Sequence, residues 1–129
     1  MRVMVIVKAT KDSEAGVMPP ADLIERMSAY NKALIDAGLF LDAGGLKASA
    51  DGARVSLIGD DRAATRGPFD EAGKLASGYW LWEVKDLDEA IGWAKRCPTS
   101  LSVPFELEIR PLFEMEDFAR RREDANRAS

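Results

Sequence analysis

Residues 67–98, GPFDEAGKLASGYWLWEVKDLDEAIGWAKRCP, constrain the chain most, because both ends of a strand–helix unit can be read in them. The run Tyr79 to Val84 is apolar on both faces and rich in aromatic residues, which predicts a central strand rather than an edge. Asp86 followed by Glu89 is a capping-box pattern. Ala90, Trp93, Ala94 and Cys97 then recur at helical spacing, Lys95 and Arg96 sit in the last turn where the helix dipole favours cations, and Pro98 is the stop. Upstream, Gly67-Pro68 reads as a turn. Gly73 and Gly78 bracket a polar loop in which Asp70 and Glu71 would face the exposed N–H groups of a helical turn near 70–75.

The rest of the chain falls in around this unit. Residues 3–7 (VMVIV) are apolar throughout and β-branched, the mark of a strand covered on both faces or lying at an interface. Residues 11–18 read as a polar loop. Pro19 and Pro20 suit a helix opening; Leu23, Met27, Tyr30 and Leu34 give its buried stripe, and Gly38 its end. A second strand starts at Leu39 and runs into Asp42 and the pair Gly44-Gly45, where a bulge or close backbone approach is expected. Residues 53–66 predict a hairpin turning at Gly59-Asp60-Asp61, polar on one face and lying at a sheet margin. After a Ser/Thr/Pro loop, Phe105, Leu107 and Ile109 alternate with Glu106, Glu108 and Arg110 as a last strand. The order β–α–β, hairpin, β–α–β predicts an α+β, ferredoxin-like antiparallel sheet with two main helices on one face. That leaves the Trp80, Trp82 or Leu39/Leu41 face uncovered, which predicts a homodimer packed through the open sheet face. The domain spans 1–113 with the hairpin 53–66 inserted, and 114–129 form a charged extension, partly helical with a disordered end.

Composition excludes several classes of function. The formal charge is −4 and the pI about 4.9, against the basic balance of a non-specific nucleic-acid binder. Arg120-Arg121-Arg122 is flanked by Glu116, Asp117, Glu123 and Asp124, so its field is cancelled locally. One cysteine, Cys97, allows neither an intrachain disulfide nor a cysteine metal cluster, and its apolar neighbours make it a buried thiol. Histidine is absent, which removes the usual neutral-pH base and zinc ligand. No cofactor or metal is expected. The N-terminus has no signal-peptide pattern and no window approaches a membrane span, so neither nucleic acid nor membrane is an expected partner and the location is cytoplasmic by default.

Several motifs in order resemble the YCII-related family, in its DGPF-motif subgroup. They are the apolar first strand, the helix 19–37, the glycines near 44, GPF at 67–69, Gly78-Tyr79-Trp80, LDEAIGWAKRCP (87–98) and EIRPLFEMEDF (108–118). The resemblance implies a dimeric α/β barrel of ferredoxin-like subunits, with a cavity beside each sheet. Some relatives are thought to be enzymes using a His–Asp pair, and related barrels include monooxygenases and lactone-processing enzymes. This chain departs from the pattern: Arg66 stands where the motif has Asp, and no histidine exists to pair with an aspartate. Asp42 is the nearest candidate for the acidic member.

The candidate ligand-binding residues are Arg66, Asp70, Glu71 and Lys74 around the Gly-Pro turn, with Trp80 and Tyr30 beside them. An Arg or Lys would grip an anion while the aromatics supply apolar contact. Local ion pairs and core packing account for the same residues without a ligand. Asp42 is the candidate catalytic residue, on the condition that an apolar strand partly buries its carboxylate and raises its pKa. Three functions stand: a cofactor-free enzyme acting on a small hydrophobic or anionic organic substrate by acid/base chemistry; a non-catalytic small-ligand-binding or regulatory dimer; and a structural or interaction module.

Overall fold

A computed structural model describes residues 1–99 and 105–128. The expected Ser/Thr/Pro loop at 100–104 and the last residue of the expected disordered end lie outside them. Strand β1 is Arg2–Lys8, followed by α1 (Lys11–Glu14), α2 (Ala21–Asp36) and β2 (Phe40–Gly45). A 3-10 turn at Ser49–Asp51 leads to the hairpin β3 (Ala53–Ile58) and β4 (Asp61–Arg66), and a second at Ala72–Lys74 leads to β5 (Ala76–Glu83). Then come α3 (Leu87–Ala94), β6 (Leu107–Pro111) and α4 (Met115–Ala128). The main sheet runs β2-β5-β1-β6 with every pairing antiparallel, and β3-β4 forms a separate two-stranded sheet.

Why the middle of the sheet holds can be read from its register. Val3 and Val5 of β1 lie opposite Trp82 and Trp80 of β5, and strand alternation sends all four to one face. There α2 lays down Tyr30 and Leu34, and α3 lays down Ala90, so the four strand residues are buried within one chain. Each large side chain removed from water in this way contributes roughly 1.5–3 kcal/mol. Polar atoms in the layer are tied off. The Tyr30 hydroxyl donates to the Trp93 carbonyl at 2.6 Å, and Trp80 Nε1 donates to Asn31 Oδ1 at 2.8 Å. The Tyr30 ring meets Trp80 edge-on, centroids 5.8 Å apart. Trp82 Nε1 is the exception, buried with no hydrogen-bond partner among the described residues.

The helix ends follow the chemistry expected of them. Asp86 accepts from the Glu89 backbone N–H at 2.9 Å, and Glu89 reaches back to the N–H of Lys85, one residue before the cap. Helix α2 starts after Pro20, and Gly38 takes φ +78° just beyond its end, a conformation glycine adopts without steric cost. Residues 11–14 are helical, where a loop was expected. Thr10 and Ser13 cap each other's backbone, Ser13 N–H to Thr10 Oγ1 at 3.1 Å and Thr10 N–H to Ser13 Oγ at 2.8 Å, and this closes one short turn.

The expectation of a ferredoxin-like subunit with two main helices in a dimeric α/β barrel is corrected. The chain is α+β with four α-helices and two separate antiparallel sheets among the described residues, and the sheets do not close into a barrel. Of the residues expected on an uncovered face, Trp80 and Trp82 are both buried in the layer with α2 and α3. A bulge between Phe40 and Asp42 takes Leu41 out of the pairing and leaves it exposed, while Leu39 is buried. The other face of the sheet is open. It mixes half-buried Met4, Ile6, Tyr79 and Leu81 with Asp42, Lys8 and Glu108, Lys8 pairing with Glu108 at 3.2 Å. Such a face is compatible with a contact to a second subunit but does not require one. The hairpin is likewise no margin of the main sheet; every residue of β3 and β4 is exposed.

Candidate functional site: a groove between the hairpin and the Gly-Pro-Phe turn

Three segments distant in sequence are knotted together where the hairpin leaves the domain. Gly67 N–H donates to the Gly52 carbonyl at 3.0 Å and closes the hairpin's neck. A Cβ on Gly67 would lie 1.8 Å from the Ser49 carbonyl oxygen, so no side chain fits there. The Gly67–Pro68 peptide is cis. The Phe69 N–H donates to Ser49 Oγ at 2.9 Å; Ser49 Oγ in turn donates to Glu14 Oε2, and the Ser49 N–H to Glu14 Oε1 at 2.9 Å. Helix α1, absent from the sequence-based expectation, is what carries Glu14 to this point.

With its backbone fixed, Phe69 presents its ring to the hairpin. The Arg54 guanidinium carbon lies 3.9 Å from the ring centroid, a cation–π contact. Arg54 also pairs with Glu71, Nη2 to Oε2 at 3.1 Å and Nη1 to Oε1 at 3.5 Å. Hydrogen bonding to Arg54, then its charge, holds the Glu71 carboxyl below the usual carboxylate range, with Lys74 adding a smaller pull. An open groove of about 480 Å³ is lined by Arg54, Val55, Ser56, Thr65 and Phe69. Thr65 sits directly across the hairpin from Arg54, and Ser56 two residues along the same strand, so Arg54 and the two hydroxyls share a face. This set can receive a small anion: a fixed fork of N–H donors, two hydroxyls, and an aromatic wall.

The residues expected from sequence do not converge on one place. Arg66 pairs across from Ala53, one position out of step with Arg54, so it projects from the opposite face of the hairpin and not into the groove. Glu71 is at the groove, bound to Arg54; Asp70 and Lys74 are exposed beside it. Tyr30 and Trp80 are core residues on the helix-covered face of the main sheet, and burial pushes the Tyr30 hydroxyl far above its usual pKa. Asp42 is exposed, against the partial burial expected for it. It accepts from the Tyr79 hydroxyl at 3.2 Å and from the neighbouring Ala43 N–H at 2.9 Å. Gly44 makes that pair possible, since a Cβ there would lie 2.8 Å from the Tyr79 ring. Cys97 is half-buried, and desolvation raises its thiol to about 11, which suits a packing role.

Arg54 is the residue that sequence reasoning missed. The available signal was the alternation of β3, Arg54 and Ser56 against Val55 and Leu57, which marks a polar face on the hairpin without saying what that face meets. Among the described residues no group of three or more His, Cys, Asp or Glu is placed to hold a metal ion. No helix among them is long and apolar enough to cross a membrane.

The chain belongs to the YCII-related domain family, whose model matches residues 1–116. The match runs from β1 into the start of α4 and takes in the groove, the turn and the Asp42–Tyr79 pair. No curated protein matches the chain significantly.

Proposed function

We propose that this YCII-related protein binds a small organic carboxylate in the groove between the hairpin and the turn at 67–69. The observation that carries the reading is Arg54, held over the Phe69 ring with its N–H edge free to face a planar anion once Glu71 is moved aside. Ser56 and Thr65 flank it as further donors, and the Phe69 ring gives an organic ligand apolar contact. Glu71 and Lys74 border the site. On this reading the turn at 67–69 is the DGPF element of its subgroup, with Arg66 in place of the aspartate, and the half-buried thiol suits a reducing, cytoplasmic setting. Acid/base chemistry at Asp42 has less support. Its carboxylate is exposed, already accepts two hydrogen bonds, and lies on the main sheet rather than in the groove.

The test is a titration of the protein with benzoate, followed by calorimetry and by amide NMR shifts. Saturable binding is expected, with shifts concentrated in residues 54–56, 65 and 69. Arg54→Ala should weaken it at least about ten-fold, because a charge-assisted hydrogen-bonding partner is removed. Absence of binding to the unmodified protein, or equal binding by Arg54→Ala, refutes the reading.

A further inference from the structure

We infer that Glu71 is the protein's own stand-in for the ligand: its carboxylate occupies the Arg54 fork that an incoming carboxylate must take, so that Glu71 acts as a built-in competitor. This rests on the groove being the binding site.

The geometry is that of a bound acid. Both Glu71 oxygens face Arg54, each toward a different terminal nitrogen, one at 3.1 Å and one at 3.5 Å. This is the end-on approach, through both terminal nitrogens, by which a guanidinium can take a carboxylate. The second distance lies at the outer limit of a hydrogen bond, so the fork is only loosely filled. The two side chains are 48% and 46% exposed, and water therefore competes for both partners. A pair so placed contributes little to stability, and its displacement costs correspondingly little.

The backbone of Glu71 is anchored while its side chain is not. Its carbonyl accepts from Lys74 N–H at 2.7 Å and from Leu75 N–H at 3.1 Å, so release of the carboxylate needs only a change of rotamer. Lys74, three residues on, already attracts it and offers the displaced charge a neighbour. What remains when Glu71 swings out is a fork beside two hydroxyls, Ser56 and Thr65, which make no side-chain hydrogen bond among the described residues. A guanidinium fork takes carboxylate and phosphate alike, so the ligand class is set by the wall beside the fork. That wall is the Phe69 ring, which favours an acid with a hydrophobic body.

Glu71→Gln tests this, since it keeps the shape of the side chain and removes its charge. Benzoate and, separately, inorganic phosphate are titrated into the unmodified protein, Glu71→Gln, Arg54→Ala and the double variant, with thermal melts to confirm that each is folded. Glu71→Gln should bind benzoate about two- to five-fold tighter, the range an exposed ion pair can contribute. The gain should vanish in the double variant, and phosphate should bind more weakly than benzoate throughout. Equal benzoate affinity in the unmodified protein and Glu71→Gln overturns the stand-in while leaving the groove as a binding site. A gain that persists without Arg54 overturns it too, because general charge removal would then explain it. Tighter binding of phosphate overturns the ligand class. No binding by the unmodified protein overturns the groove reading itself.

Discussion

Replacing Ser49 by alanine strikes the one atom on which the groove's wall depends. Ser49 Oγ accepts from the Phe69 N–H at 2.9 Å and donates to Glu14, while the Ser49 N–H also serves Glu14 at 2.9 Å. Alanine leaves the Phe69 N–H without its acceptor and takes from the Glu14 carboxylate one of two donors. The first loss is a neutral hydrogen bond, about 1 kcal/mol, and the second is a bond to a charged group, about 1.5–3 kcal/mol. Both groups are half-buried, so water restores part of each. A net destabilisation of about 1–3 kcal/mol follows, or several degrees in Tm for a domain of this size. Denaturant unfolding of the unmodified protein, Ser49→Ala, Glu14→Ala and the double variant gives the coupling directly. A coupling energy of about 1 kcal/mol or more is expected between positions 49 and 14. Benzoate affinity should fall in Ser49→Ala, although Ser49 does not line the groove, because Phe69 is no longer held beneath Arg54. Additive effects within about 0.3 kcal/mol, together with unaltered benzoate affinity, would refute the claim that this knot positions the site.

Two further outcomes follow from the same structure. Gly67→Ala should destabilise by more than Ser49→Ala, since its Cβ would meet the Ser49 backbone oxygen at 1.8 Å and neither segment is a flexible side-chain end; parallel melts of the two variants decide it. Raising the pH should destabilise the fold from about 9 upward. Burial raises the Cys97 thiol from 9.0 to about 11, so the unfolded chain loses this proton first and stability falls between those values, with Tyr30, also raised by burial, extending the loss to higher pH. Cys97→Ala should remove the lower part of that fall, as read by denaturant midpoints across pH 8–11.

The legible parts of the fold were those where several local signals agree. In α3 the cap, the apolar spacing and the proline stop all point one way, and Tyr79–Val84 could only be central because both of its faces are apolar. The stripe Leu23, Met27, Tyr30 and Leu34 set the buried side of α2 for the same reason. What stayed hidden depended on which face met which. Arg54 and Arg66 are both arginines on one hairpin, and only the register between β3 and β4 turns one into the groove and the other away from it. Trp80 and Trp82 are covered only because α2 and α3 pack on their side of the sheet, which strand alternation alone does not reveal. Asp42 has apolar neighbours in sequence, yet the bulge at Leu41 and the open face leave its carboxylate in water. Glu14 had no visible role, because its partner is 35 residues away and reached from a helix of a single turn.

The hairpin's neck has an evolutionary corollary. The chain enters at Gly52 and leaves at Gly67, joined there by one hydrogen bond of 3.0 Å, and everything between is exposed and outside the main sheet. Insertions, deletions or wholesale replacement of residues 53–66 therefore leave the register of β1, β5 and β6 and the tryptophan layer untouched. One wall of the groove is built on this removable loop and the other on the Phe69 turn, which is fastened to the body of the domain. A lineage can thus exchange the hairpin, and with it the fork and the hydroxyls proposed to meet a ligand, while the half of the groove that is fastened to the body of the domain stays unchanged.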